Sequence, residues 1–122
     1  FHPTVRAVLG AAPAAHKWAL VVRDPLPRWT DGQIALLGDA CHPMTPYMAQ
    51  GAGTSIEDAA ILSRCLDGVD RDGVSAALLR YEATRKPRTS QIQALSRAND
   101  MNRFKAANEM VYGFDAWTTP LA

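Results

Sequence analysis

The chain has 122 residues, with 48% hydrophobic and 20% charged side chains and a formal charge of +1. That is enough apolar content for one packed core, and too little net charge for a field that would gather nucleic acid or an anionic membrane. No apolar run approaches the roughly 18 residues of a membrane-spanning helix, and the opening "FHPTVRAVLG" lacks the basic start and long apolar core of a signal peptide. Cys41 and Cys65 are too few for a disulfide scaffold and have no CxxC spacing, so reduced thiols and a cytoplasmic setting are expected.

In chain order, "HPTVRAVLGAA" places Val5, Val8 and Leu9 at helical spacing behind a proline and predicts a short helix ending near Gly10. "KWALVVR", residues 17–23, has the β-branched and aromatic content of a strand and is stopped by the prolines of "DPLP". "DGQIALLG" opens on an Asp-Gly turn and then runs apolar over residues 34–37, short enough for a strand buried on both faces. Two strands make no independent buried sheet. They are expected to complete sheets whose other strands come from elsewhere.

"TSIEDAAILSRCL" carries Ile56, Ala59, Ala60 and Leu66 in a helical rhythm, behind a capping box of Thr54 with Glu57 or Ser55 with Asp58. "DGVDRDG" is a polar turn. From Val74 a second helix pattern places Ala77, Leu78 and Tyr81 on one face and resumes beyond Pro87 with Ile92, Leu95 and Met101 or Asn102. Pro87 lacks an amide donor and is expected to kink or interrupt that helix. The aromatic, Gly- and Pro-broken end "VYGFDAWTTPLA" reads as a tail packed onto a surface. The fold class is α/β, mostly helical over this length.

The chemistry concentrates between these elements. Asp39 follows the second strand, where α/β folds place ligands, and a carboxylate there suits sugar or polyol hydroxyls; a turn-capping role is the alternative. Gly51, Ala52 and Gly53 stand at a helix start, where backbone amides approach a ligand closely and the helix dipole is positive. Pro43 and Pro46 stiffen the loop between them. Cys41 and His42 are adjacent and so expected to point apart, and with no other ligand at metal spacing neither a metal site nor a thiol–imidazole dyad is read there. Arg80, Arg85, Lys86 and Arg88 form a basic cluster whose ordinary explanation is a solvated helix face.

"GDACHPMTPYMAQGAGTSIEDAAIL" resembles the second flavin-binding motif of the FAD-dependent aromatic hydroxylases, the single-component flavoprotein monooxygenases. The flanking "PLPRWTDGQIALLGDA" and "LLRYEATRKPRTSQIQALSRAND" are similar to the segments around that motif, so the resemblance covers most of the chain. It implies FAD as cofactor, NADH or NADPH as electron donor, molecular oxygen, and an activated aromatic substrate such as a phenol or hydroxypyridine carboxylic acid. It implies that Gly38, Asp39, Pro46, Gln50, Gly51, Ala52 and Gly53 bind the cofactor. Asp39 would take a ribityl hydroxyl, and the three residues at the helix start would face the pyrimidine edge of the isoalloxazine. Pro46 would lie beside the flavin and Tyr47 would face the substrate, these two being the catalytic candidates. Many salicylate-type members carry His where this chain has Tyr47, so a proton relay does not transfer directly to that position. Glu57 and Asp58 are capping and helix-positioning residues in this reading.

The tail "YGFDAW" resembles the end of hydroxynicotinate-type members. The early GxGxxG turn that such enzymes use for the pyrophosphate does not occur here. The chain is therefore expected to be a C-terminal portion, inactive and without tight FAD binding unless joined to the missing N-terminal part. Residues 1–30 would be the last elements of the substrate-binding region, 31–72 the returning FAD-binding segment, and 73–122 the C-terminal helices and tail. A homodimer is compatible with this reading. The alternative is a helical interaction or dimerisation module without catalysis, using the helix around Pro87.

Overall fold

The computed structural model describes residues 1–98 and 107–122. Helix α1 (Pro3–Gly10) ends where its glycine predicts, with His2 Nδ1 accepting the Thr4 amide at 3.3 Å. None of its residues is buried. A hairpin follows, with β1 (Thr30–Asp31) antiparallel to β2 (Ile34–Ala35) in the register Thr30 to Ala35 and Asp31 to Ile34. Two turns of 3-10 helix, Gly38–Ala40 and Pro46–Met48, lead into helix α2 (Gly51–Leu66). Helix α3 (Val74–Ala98) returns, and the short α4 (Asn108–Tyr112) precedes the tail.

Strand content differs from the sequence expectation. Residues 17–23 form no regular secondary structure, and Trp18, Leu20 and Val21 are 84%, 59% and 71% exposed. The second strand stops at Ala35, and Ile34 is 70% exposed instead of buried on both faces. A strand exists only where a neighbour accepts its ladder. Thr30 and Asp31 supply that neighbour because Gly32, at φ +58°, permits a two-residue turn that brings Ile34 back against them. No such neighbour reaches residues 17–23 within the described chain.

α2 and α3 form an antiparallel pair, held at one end by Arg80 Nη2 donating to the Cys65 carbonyl at 3.0 Å and at the other by Arg88 on Glu57. The buried face of α2 recurs at Thr54, Asp58, Ile61 and Cys65, every three or four residues. Its far half is apolar, where Ile61 and Cys65 meet Ala77, Tyr81, Trp29 and Cys41 in the core. Each large side chain enclosed there contributes about 1.5–3 kcal/mol. Its near half, at Thr54 and Asp58, is polar and faces Arg85. Burial of Ala77, Leu78, Tyr81 and Ile92 agrees with the predicted face of α3, whereas Met101 and Asn102 lie outside the described residues.

Pro87 does not interrupt α3, which is helical on both sides of it. The proline ring points to solvent, and side chains on either side tie the helix to its surroundings: Glu82 and Arg85 before it, Arg88 and Gln93 after it. Packing at so many points outweighs the loss of one helical hydrogen bond. The basic cluster is a solvated face only in part: Arg80 is exposed and Lys86 half-buried, whereas Arg85 is fully buried and Arg88 has 10% of its side chain exposed.

α3 also positions the hairpin. Glu82 Oε2 accepts the amides of Trp29 and Thr30 at 2.9 and 3.1 Å and the Thr30 hydroxyl at 2.9 Å. Tyr81 Oη donates to the Leu36 carbonyl at 3.2 Å. The tail packs onto α2 and α3, with Val111 buried, Arg64 on the Ala116 carbonyl at 2.7 Å and the Ala122 amide on Thr84 Oγ1 at 2.9 Å. Replacing Glu82 with Ala leaves two hairpin amides without their acceptor. We expect a loss of about 1–3 kcal/mol in denaturant unfolding and faster amide exchange at Trp29 and Thr30; unchanged exchange there would contradict this role.

Candidate functional site

Gly38 begins the site because no other residue fits its place. Its φ is +61°, and a Cβ would stand 2.8 Å from Ser55 Oγ and 3.3 Å from Ser55 Cβ. The turn that follows is closed by the amides of Cys41 and His42, both donating to the Gly38 carbonyl at 2.9 Å. Asp39 thereby projects at the surface beside the start of α2. A Cβ on Gly51 would be 3.9 Å from Asp39 Oδ1 and 3.9 Å from Met44 Cγ. The acid and the first glycine of α2 thus stand side by side.

α2 begins at Gly51, four residues earlier than a capping box at Thr54 would place it, and Gln50 stands at the N-cap with no side-chain cap bond. Thr54 and Ser55 do not cap. Thr54 Oγ1 donates back to the carbonyls of Gln50 and Gly51 at 2.8 and 3.0 Å, and Ser55 Oγ donates to that of Gly51 at 2.8 Å. These bonds engage carbonyls and leave amides free. Among the described residues no acceptor takes the amides of Gly51, Ala52 or Gly53, which stand at the positive end of a 16-residue helix. Ala52 and Gly53 are exposed, whereas Gln50 is 8% exposed, and a Cβ on Gly53 would meet its Oε1 at 3.6 Å. Between Asp39 and Gly51 the chain passes through Pro46 and Tyr47, both exposed, and then Ala49 at φ 51°. A left-handed alanine costs about 1 kcal/mol; here it turns the chain from the 3-10 turn into α2.

Beneath Gly38 and the start of α2 lies a buried ionic cluster. Asp58 is fully buried; its Oδ2 accepts the Gly38 amide at 3.1 Å and approaches His42 Nε2 at 2.6 Å, and its Oδ1 accepts Arg85 Nε at 2.7 Å. Arg85 Nη2 donates to the Thr54 carbonyl at 3.2 Å and to Glu57 Oε2 at 2.8 Å. Arg88 completes a forked pair with Glu57 at 2.8 and 2.9 Å and lies 4.0 Å from the Phe114 ring centroid. Glu57 and Asp58 are therefore positioning residues, as expected, through ion pairs across to α3 and not through capping.

Cys41 and His42 do not point apart. Both are fully buried, and with Asp58 they offer ligand atoms within 4.8 Å of one another. The sequence reading missed this because the 3-10 turn folds both side chains inward beneath Gly38. Cation coordination does not suit the cluster, since His42 and Arg85 already occupy the Asp58 oxygens and burial, followed by the nearby Asp58 charge, pushes the Cys41 thiol up to about 12. A neutral thiol is neither a nucleophile nor a ready metal ligand.

Burial works to raise the Asp58 carboxyl, but the hydrogen bonds from His42 and Arg85 outweigh it and hold it below the ordinary carboxylate range. A carboxyl lowered in the folded state stabilises the protein above its unfolded value of about 4, and that stabilisation is lost as pH falls through the folded value. Asp58→Asn is expected to cost about 3–5 kcal/mol, because it leaves Arg85 buried without its counter-charge. It should also flatten the acid limb of stability against pH below about 4. Denaturant melts from pH 2 to 7 read both effects, and an unaltered acid limb would count against this assignment.

A family model described as "FAD binding domain" matches residues 11–96. The 6-hydroxynicotinate 3-monooxygenase of Pseudomonas fluorescens is 46% identical over 121 residues, which cover 99% of this chain and 31% of that protein. A solved salicylate hydroxylase substrate complex superposes at TM-score 0.71 with 31% identity, over 81% of this chain and 29% of that one. A tetrameric 2-methyl-3-hydroxypyridine-5-carboxylic acid oxygenase superposes at 0.56 with 35% identity, over 76% of this chain and 24% of that one. The chain thus spans about a third of the length of such curated relatives. With the Asp39 carboxylate beside Gly51 at the start of α2, and with the family model running through both, this chain belongs to the FAD binding domain family.

Proposed function

We propose that this chain forms the flavin-holding C-terminal part of an FAD-dependent monooxygenase that hydroxylates an activated aromatic ring. The supporting observation is the placement of the Asp39 carboxylate beside Gly51 and three amides that have no acceptor among the described residues, a site that serves as the flavin crevice. Asp39 accepts a ribityl hydroxyl. The amides of Gly51, Ala52 and Gly53 face the electron-rich pyrimidine edge, where the helix dipole stabilises negative charge. Gly38 sets the turn that aims Asp39, and Gln50 closes the crevice floor. Pro46 and Tyr47 border the reacting edge, with Pro46 excluding water beside the ring and the Tyr47 phenol donating to or accepting from a substrate hydroxyl.

Bound FAD supplies hydride acceptance from NADH or NADPH and activation of O2. The overall balance is ring C–H, O2, NAD(P)H and a proton giving ring C–OH, water and NAD(P)+. The substrate is a hydroxylated aromatic carboxylic acid, the class named in the 6-hydroxynicotinate and 2-methyl-3-hydroxypyridine-5-carboxylic acid relatives. No helix of the described residues is long and apolar enough to cross a membrane, and a cytoplasmic setting with a homo-oligomeric assembly completes the reading. Residues 1–30 belong to the substrate-binding region. Their exposed apolar side chains and the fully exposed α1 suit contact with the N-terminal part of the same protein.

Gly51→Ala separates binding from folding. The added Cβ meets only ordinary contacts within the protein, and alanine is the better helix former, so thermal stability should hold or rise. FAD affinity of the intact protein should fall at least about tenfold, because the methyl fills the opening. Asp39→Ala should weaken FAD by about 10- to 100-fold through loss of a charged hydrogen bond. Fluorescence titration with FAD reads both, and wild-type affinity in the two variants would overturn the assignment. The 122-residue chain alone is expected to show no submicromolar FAD binding in the same titration.

A further inference from the structure

Two polar side chains near the C-terminal end of α3 are buried outside the ionic cluster. Gln93 is 7% exposed and Ser96 is fully enclosed. Both are directed at one stretch of backbone. Gln93 Nε2 donates to the Pro43 carbonyl at 3.0 Å, and Ser96 Oγ donates to the Thr45 carbonyl at 2.8 Å. Thr45 Oγ1 answers, donating to the Ser96 carbonyl at 2.8 Å with Ser96 Oγ at 2.6 Å. The result is a reciprocal clamp across 51 residues of sequence.

Apolar side chains at these two positions would fill the same helix face with no partner to satisfy. A buried hydroxyl or amide is stabilising only when its bonds are made, so these residues hold one geometry of the facing loop and disfavour others. The loop transmits that geometry over a short, stiff path. Thr45 leads directly into Pro46, whose ring fixes φ. The following 3-10 turn is closed by the Ala49 amide on the Pro46 carbonyl at 3.0 Å, and Met48 and Gln50 anchor its far side in the interior. A shift at Thr45 therefore moves Pro46 and Tyr47 as a unit.

We propose that Gln93 and Ser96 are positioning residues for the reaction, holding Pro46 and Tyr47 at the reacting edge of the flavin without touching cofactor or substrate. The inference rests on the reading of Pro46 and Tyr47 as flavin- and substrate-facing. Gln93 acts on the loop at Pro43 and Ser96 at Thr45, so loss of either loosens the same segment. Loosening lets water reach the reacting edge, so reducing equivalents leave as hydrogen peroxide instead of entering the product.

The test uses the intact flavoprotein with Gln93→Leu, Ser96→Ala, Thr45→Val and Thr45→Ser. Thr45→Val removes the clamping hydroxyl at nearly constant volume, and Thr45→Ser keeps it, so a failure of one variant to fold leaves the others to decide. Three quantities are read: deuterium exchange of the peptide spanning residues 43–50, visible circular dichroism of bound FAD, and peroxide released per NAD(P)H with 6-hydroxynicotinate as probe. The expected result is about tenfold faster exchange, an altered flavin band and a severalfold higher peroxide yield in Gln93→Leu, Ser96→Ala and Thr45→Val. Thr45→Ser should restore wild-type values, a rescue that general destabilisation would not produce. A wild-type flavin band and peroxide yield in Ser96→Ala and Thr45→Val, with FAD bound, would overturn the inference alone. Wild-type protein that neither carries nor takes up FAD would overturn the flavin reading beneath it.

Discussion

The Asp58 carboxylate receives hydrogen bonds from three separate parts of the chain: the Gly38 amide, the His42 ring and the Arg85 guanidinium. A buried carboxylate is costly to desolvate, and it persists only when its lone pairs are met by well-placed donors. Because those donors lie on the turn carrying Asp39, on the loop toward Pro46 and on α3, satisfying Asp58 fixes all three relative to α2. An apolar residue there would pack the helices more simply. It would leave the Gly38 amide unpaired and the turn beside the crevice free to move.

The second constraint acts at the start of α2 and works by omission. Helix termini usually satisfy their free amides with a cap. Here the hydroxyls of Thr54 and Ser55 turn back onto carbonyls, and Gln50 provides no cap, so the positive end of the helix stays open toward Asp39. A negative carboxylate beside unpaired amides gives the crevice both acceptor and donor character. A cofactor with a polyhydroxyl chain and an electron-rich ring edge meets both. The left-handed Ala49 belongs to the same economy of shape, since it turns a stiff loop into the helix with little intervening chain.

Helix α3 is the frame on which these parts are hung. Along one face it holds the hairpin through Glu82, the Leu36 carbonyl through Tyr81, the ionic cluster through Arg85 and the Pro43 and Thr45 loop through Gln93 and Ser96. Such density of anchoring explains why Pro87 passes without ending the helix. It also explains why the basic residues around it serve the interior. Arg85 and Arg88 are held between α2 acids and Phe114, leaving little charge free for a polyanion.

Periodicity was a sound guide wherever local rules govern: α1, the face of α3 at Ala77, Leu78 and Tyr81, and the Asp-Gly turn of the hairpin all follow from spacing and turn chemistry. The approach of Asp39 to Gly51 was also legible, because Gly38, Asp39 and the Gly51 to Gly53 segment belong to one contiguous pattern. Residues 17–23 form no ladder among the described residues, because strand propensity is expressed only against a partner and the partners expected for this segment lie outside the chain. The inward turn of Cys41 and His42, the pairing of Glu57 and Asp58 with arginines 27 to 31 positions away and the clamp from Ser96 to Thr45 were invisible to any local rule. By itself, then, the sequence determined the elements and the motif whose resemblance points to a flavin, since residue type and short-range spacing carry both. Only the tertiary structure decided how those groups are held, because the buried charges and hydroxyls that hold them find their partners across the helix pair.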